Sequence, residues 1–196
     1  MKTKSIAFAT KLQYFAAALT LMTACAGNTF AQEAHSHTGQ QQPGGLDSAN
    51  ALVQAVRQST EQFQNVSAAI AAGYTLQFGC VSGEDSGAMG LHYINADLVN
   101  SGVLDPARPQ IVIYEPTPDG GRRLIGADFL VIADTWNATH SAPPQMMGQL
   151  FHLFTSPNRF GLPAFYTLHV WAWKENPTGA FVNWHSNVSC RSYTDK

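Results

Sequence analysis

Between two apolar runs, residues 111–115 (Ile111-Val112-Ile113-Tyr114-Glu115) and 123–132, the chain reads Pro116-Thr117-Pro118-Asp119-Gly120-Gly121. Prolines, an aspartate and paired glycines supply the fixed and positive φ angles of a tight turn, so the flanking runs are expected to form an antiparallel hairpin. Two further runs, 90–95 and 165–174, have the same β-branched and aromatic composition bounded by turn residues. Four strand candidates therefore commit the chain to a sheet.

Helical signals lie on either side of these runs. Asp47 or Ser48 is a capping residue, and Leu52, Val56, Phe63, Val66 and Ile70 follow at helical spacing, with Thr60 completing the stripe. Gly73 suits the position that ends such a helix. Asn65 is a second capping residue inside it, so the stretch is either one bent helix or two collinear ones. Pro143-Pro144 suits a first helical turn, and Met146, Met147, Leu150 and Phe151 give a second, shorter helix an apolar face up to about Leu153. The expected architecture is an α+β domain spanning 47–196. In it an antiparallel sheet of about four or more strands packs with the N-terminal amphipathic helix and the shorter second one. Residues 176–190, with their Pro, Gly and Asn, are expected to wrap the body as an ordered loop.

Residues 1–31 carry Lys2, Lys4 and Lys11 and no acid, then an apolar run over 14–26, then Thr29-Phe30-Ala31. This is the layout of a signal peptide cleaved after Ala31. A lipoprotein signal is the competing reading, with Met22-Thr23-Ala24 ahead of a lipidated Cys25. The protein is thus expected to be secreted or periplasmic, with an outer-membrane lipoprotein as the alternative. The apolar run is shorter than the ~20 residues of a membrane span. Residues 32–46 are polar and rich in Gly and Gln, so a flexible mature N-terminus is expected, and its His35-x-His37 pair is a weak metal capture motif. Cys80 and Cys190 then remain, and in an oxidising compartment they read as one disulfide.

Only 12% of the 196 residues are charged, about half the usual share for a soluble domain. Without the first 31 residues, eight basic side chains face thirteen acidic ones. A mildly acidic surface with no basic stripe excludes nucleic acid as a partner. The chain also has no phosphate loop, no Rossmann glycine pattern, no Gly-x-Ser-x-Gly elbow and no His-Glu-x-x-His helix.

Against so little charge, one pattern stands out. Each strand candidate carries an ionisable side chain among apolar or aromatic neighbours: His92, Glu115, Asp128 and His169. A lone buried charge costs several kcal/mol, so these groups need partners. Alternation places Thr167, His169, Trp171 and Trp173 on one face of the last strand and Leu168, Val170 and Ala172 on the other. Should the sheet bring the four ionisable groups onto one face, two imidazoles and up to two carboxylates converge. That set suits a divalent transition metal, Zn, Fe or Mn, with a position left for water or a small molecule. Two alternatives stay open: a metal-free hydrolase or lyase-type pocket using acid–base chemistry, and a structural or interaction domain whose core histidines are satisfied by the carboxylates.

Three other histidines are placed separately. His140 is a candidate for the pocket mouth, together with Trp171 and Trp173 as ligand-binding aromatics. His152 is expected near the end of the second helix, where the dipole favours an imidazolium, and His185 is expected to be exposed.

From Ala88 to Cys190 the chain resembles a family of exported, uncharacterised bacterial proteins. The matching stretches are Met89-Gly90-Leu91-His92-Tyr93-Ile94-Asn95, Asp105-Pro106-Ala107-Arg108-Pro109, Tyr114-Glu115-Pro116, Gly148-Gln149-Leu150-Phe151 and Ser156-Pro157-Asn158-Arg159-Phe160-Gly161-Leu162-Pro163. Trp136 and His140, Leu168-His169-Val170-Trp171-Ala172-Trp173, Asn176-Pro177 and Val188-Ser189-Cys190 complete them. The chain departs from the pattern at His185-Ser186, where the family has Asn-Pro, and at Asp128, where it has Glu. The resemblance implies export and a single domain, and marks His92, Glu115, His140 and His169 as positions to test; it implies no activity.

Overall fold

The computed structural model describes residues 44–194. The expected signal segment 1–31, Cys25, the His35/His37 pair and residues 32–43 of the expected flexible N-terminus lie outside that range. No helix among the described residues is long and apolar enough to cross a membrane.

The helical region begins with α1 (Gly44–Thr60), starting ahead of both expected caps, continues through a 3₁₀ turn (Glu61–Gln64) and ends with α2 (Val66–Ala71). Asn65 makes the break: its side-chain oxygen accepts from Ser67 N at 3.0 Å and restarts the helix. Gly73, at φ +89°, ends it. Its N–H donates to Ile70 O and that of Tyr74 to Ala69 O, the paired bonds of a Schellman motif. The 3₁₀ turn also shifts the helical phase. Leu52, Val56 and Phe63 are buried as the stripe predicts, but beyond the turn Ala69 takes the buried position and Ile70 is exposed.

Six strands form one antiparallel sheet: β1 (Thr75–Ser82), β2 (Ala88–Ile94), β3 (Ile111–Pro116), β4 (Arg122–Ile132), β7 (His152–Phe154) and β8 (Phe165–Val170), ordered β1-β2-β3-β4-β8-β7. Two short helices, α3 (Ala96–Ser101) and α4 (Ala133–Asn137), and a separate hairpin of β5 (Gln145–Met146) and β6 (Gln149–Leu150) complete the fold. The β3–β4 hairpin forms as expected. Thr117 N–H donates to Gly121 O, and Asp119 accepts from the Thr117 hydroxyl and from Gly121 N.

Buried side chains divide between the two faces. Leu91, Tyr93, Val112, Tyr114, Ala127, Phe129, Leu168 and Val170 belong to clusters that also hold Leu52, Val56, Phe63 and Ala69 of the helical region. The opposite face carries Ile111, Ile113, Ile125, Leu130, Phe165 and Trp171. A β-bulge in β4 breaks the alternation, so that Leu124 and Ala127, three residues apart, share the helical face: Ile113 pairs with Gly126 but Tyr114 with Leu124, leaving Ile125 as the extra residue. A Cβ on Gly126 would lie 2.5 Å from Val170 O, so only glycine allows β8 to approach there.

Two expectations fail for identifiable reasons. The second helix over 143–153 does not form. Met147 and Gly148 both have positive φ, +47° and +80°, the signature of a two-residue hairpin turn, and Gln145 pairs with Leu150. A short run of Met, Leu and Phe does not distinguish helix from strand by spacing. His152, expected at that helix's end, is an exposed residue of β7 paired with Thr167. The last strand also stops at Val170, short of 174. Ala172 N bonds Val170 O in a tight turn, and Trp173 N bonds Ile125 O at the bulge, which breaks the alternation that placed Trp173 beside Trp171.

Cys80 of β1 and Cys190 form a disulfide. Ahead of it, Lys174 Nζ donates to Asn187 O, and Ala88 and His185 exchange both backbone bonds. The stretch 176–190 is thus held against β2 as an ordered loop.

Candidate metal centre

His92 on β2, Asp128 on β4 and His169 on β8 share the face opposite the helical region. Asp128 is the direct cross-strand neighbour of His169, and on β3 the residues opposite Asp128 and His92 are Ile111 and Ile113. On a flat sheet, β2 and β8 would be about 14 Å apart, three spacings of ~4.8 Å. The sheet curls instead, and Nε2 of His92 stands 3.4 Å from Nε2 of His169. A potential ligand atom from each of the three residues lies within 4.8 Å of the other two, and all three side chains are buried.

The surroundings orient these groups. Nδ1 of His92 faces Gly90 O at 3.3 Å, and the tautomer that donates to this carbonyl directs the Nε2 lone pair at His169. Gly90 has φ +88°, and a Cβ there would stand 2.6 Å from Tyr114 O. The Thr167 hydroxyl donates to Asp128 Oδ1 at 2.6 Å. Nδ1 of His169 lies 3.7 Å from that oxygen, beyond hydrogen-bond distance, and among the described residues it makes no hydrogen bond of ordinary geometry, although the Asn183 side chain favours its protonated form.

Burial, reinforced by His169, lowers the His92 imidazole to a pKa of about 4. Burial, then the charge of His152, lowers His169 to about 3. Burial raises Asp128 to about 6 despite the Thr167 hydrogen bond that favours its anion. Above pH 6 the cluster is therefore two neutral imidazoles and one carboxylate, the protonation states that metal binding demands.

The three residues line a cavity of about 30 Å³, room for one or two water-sized groups. Apart from Thr167, the rest of its wall is apolar: Phe78, Met89, Ile94, Ile111, Leu130, Phe154, Phe160, Leu162 and Phe165. Asn158 braces the loop that supplies Phe160 and Leu162. Its side chain accepts from both their backbone N–H groups and donates to Thr155 O and Leu162 O.

Other candidates stand elsewhere. Glu115 does not join the cluster. At the far end of β3 it accepts from Arg123 Nη2 at 2.5 Å and Lys174 Nζ at 2.7 Å. Burial opposes its ionisation, but these bonds outweigh it and hold the carboxyl below its ordinary pKa. His140 is exposed and stacked on Trp136, ring centroids 3.7 Å apart, and it does not line the cavity. Trp171 sits beside His169 with ring centroids 5.6 Å apart, its Nε1 donating to Val182 O, outside the cavity wall. Trp173 donates to Thr60 Oγ1 and packs with the clusters of the opposite face. His185, expected at the surface, is fully buried against Trp171.

Sequence reasoning missed Thr167 and the aromatic wall. Alternation had put Thr167 on the face of His169, which was signal enough to add it. Phe160 and Leu162 lie in a stretch marked by the family resemblance, whereas Phe78 follows no pattern, because a bulge presents it. Searches against protein-family models, curated proteins and solved structures find no match for this chain.

Proposed function

We propose that the protein binds one divalent transition metal ion through His92, His169 and Asp128, with a further coordination position facing the cavity. The observation that carries this reading is the 3.4 Å separation of the two Nε2 atoms. Metal–nitrogen bonds of about 2.1 Å at a tetrahedral angle put two imidazole nitrogens about 3.4 Å apart, and the same distance is at the long limit for a hydrogen bond between the two rings. The donor set, two imidazoles and a carboxylate, suits Zn(II), Fe(II) or Mn(II). A metal at such a site polarises a bound water or small substrate.

The disulfide supports export to an oxidising compartment, as the signal-like 1–31 segment implies. Metal analysis of the purified protein tests the function directly. About one equivalent in the wild type and almost none in a His92→Ala/His169→Ala variant is expected. Equal, near-zero content in both would leave the cluster as a hydrogen-bonded element of the core.

A further inference from the structure

Beside the metal cavity runs a second, open groove of about 190 Å³ whose walls include Gln77, Ala96, Val99, Asn100 and Ile132. It shares Phe78, Ile94, Leu130 and Leu162 with the cavity, so the same four apolar side chains line both spaces. Among the described residues, neither wall holds an ionisable side chain apart from Asp128 and the two histidines, and the groove's polar side chains are the amides of Gln77 and Asn100.

Phe78 stands at the junction. It is 45% exposed and has φ +65°, a left-handed conformation uncommon for any residue but glycine. It owes this to a bulge that leaves Phe78 and Gly79 between the paired residues Gln77 and Cys80. The bulge sets the ring against Phe160, centroids 5.4 Å apart, over both spaces. Bulges that re-aim a side chain recur next to binding sites.

Charge defines the other end of the ligand. A divalent ion beside the Asp128 carboxylate carries one net positive charge in a buried site, and a buried net charge is unfavourable until a second anion joins it. We infer that the cavity opens into the groove past these four side chains and that together they bind an amphiphile with one anionic head group, such as a medium-chain monocarboxylate, its head on the metal and its hydrocarbon body along Phe78, Ile94, Leu130 and Leu162. This inference rests on the metal-binding reading.

Cobalt(II) absorbance tests it, with cobalt uptake measured first and ligands added second. Octanoate, acetate and 1-octanol serve as probes on the cobalt-loaded protein. Burial of two or three methylenes, about 0.8 kcal/mol each, makes octanoate at least ~10-fold tighter than acetate. Octanol, which lacks the charge, is expected to bind at least ~10-fold more weakly than octanoate. Ala96→Trp, at an exposed position in the groove wall, should remove the octanoate preference and leave cobalt uptake and acetate affinity unchanged. Asn100→Trp, also at an exposed groove position, provides a second block should the first variant fold poorly. Equal affinities for octanoate and acetate, an octanoate preference that survives both tryptophans, or octanol binding as tightly as octanoate would each overturn the inference while the metal reading stands. Failure of the wild type to take up cobalt would remove both.

Discussion

Nε2 of His92 and Nε2 of His169 meet at 3.4 Å although their strands are separated by two others, β3 and β4. Their meeting depends on the curl of the sheet and on Gly90, whose carbonyl faces Nδ1 of His92 and whose φ of +88° puts any Cβ 2.6 Å from Tyr114 O. Gly90→Ala should lower stability by more than about 2 kcal/mol, since both backbone strain and a backbone clash act on it. Chemical denaturation measures the loss; an unchanged midpoint would show that β2 and β3 yield at little cost.

Thr167 donates to Asp128 Oδ1 at 2.6 Å. Thr167→Val keeps the shape and removes the donor. Loss of a partner that orients a ligand costs about 10–100-fold in metal affinity, so zinc titration should show a fall of that size with stoichiometry unchanged. A Glu115→Gln variant should show no such fall, because Glu115 is engaged by Arg123 and Lys174.

Glu115 contributes to the fold instead. Its folded pKa lies below the ordinary value, so its contribution is complete above about pH 4.5 and is lost as pH falls through the folded pKa. With Arg123 largely in solvent, the two ion pairs are screened, and Glu115→Gln should cost about 1–2 kcal/mol at pH 7. The difference between wild type and variant should shrink below pH 4, which denaturation at both pH values measures.

The buried cluster has its own pH signature in the metal-free protein. His92 and His169 titrate near 4 and 3 in the fold but at 6.5 when unfolded, so acid favours the unfolded chain. Asp128 opposes this, because its folded value of about 6 exceeds the 3.8 of the unfolded chain. Between pH 6 and 4 the unfolded state binds two protons at the histidines against one at Asp128 in the fold. Stability should therefore fall by about 1.4 kcal/mol per pH unit on acidification. A His92→Ala/His169→Ala variant should lack this fall, and identical profiles for the two proteins would contradict the assignment.

The hairpin turn and the helix break were legible in the sequence because Pro116–Gly121, Asn65 and Gly73 act locally: each sets the backbone within a turn of itself. His92, Asp128 and His169 were legible as isolated ionisable groups in apolar runs. Their union was not, since it depends on the curl across four strands. Glu115 matched the same pattern but met Lys174, which the turn after Val170 and the bulge at Ile125 carry to it. β1 escaped notice because it is a largely exposed edge strand interrupted by a bulge at Phe78-Gly79. The hairpin at Met147-Gly148 was read as helix because Met147 is not a residue that ordinarily signals positive φ.

Anomalous diffraction at the zinc absorption edge, from crystals grown with zinc, locates the ion among the three side chains. One peak is expected about 2.0–2.2 Å from Nε2 of His92, Nε2 of His169 and a carboxylate oxygen of Asp128. A map with no peak among these three side chains, or with peaks only at surface residues such as His140 and His152, would contradict it.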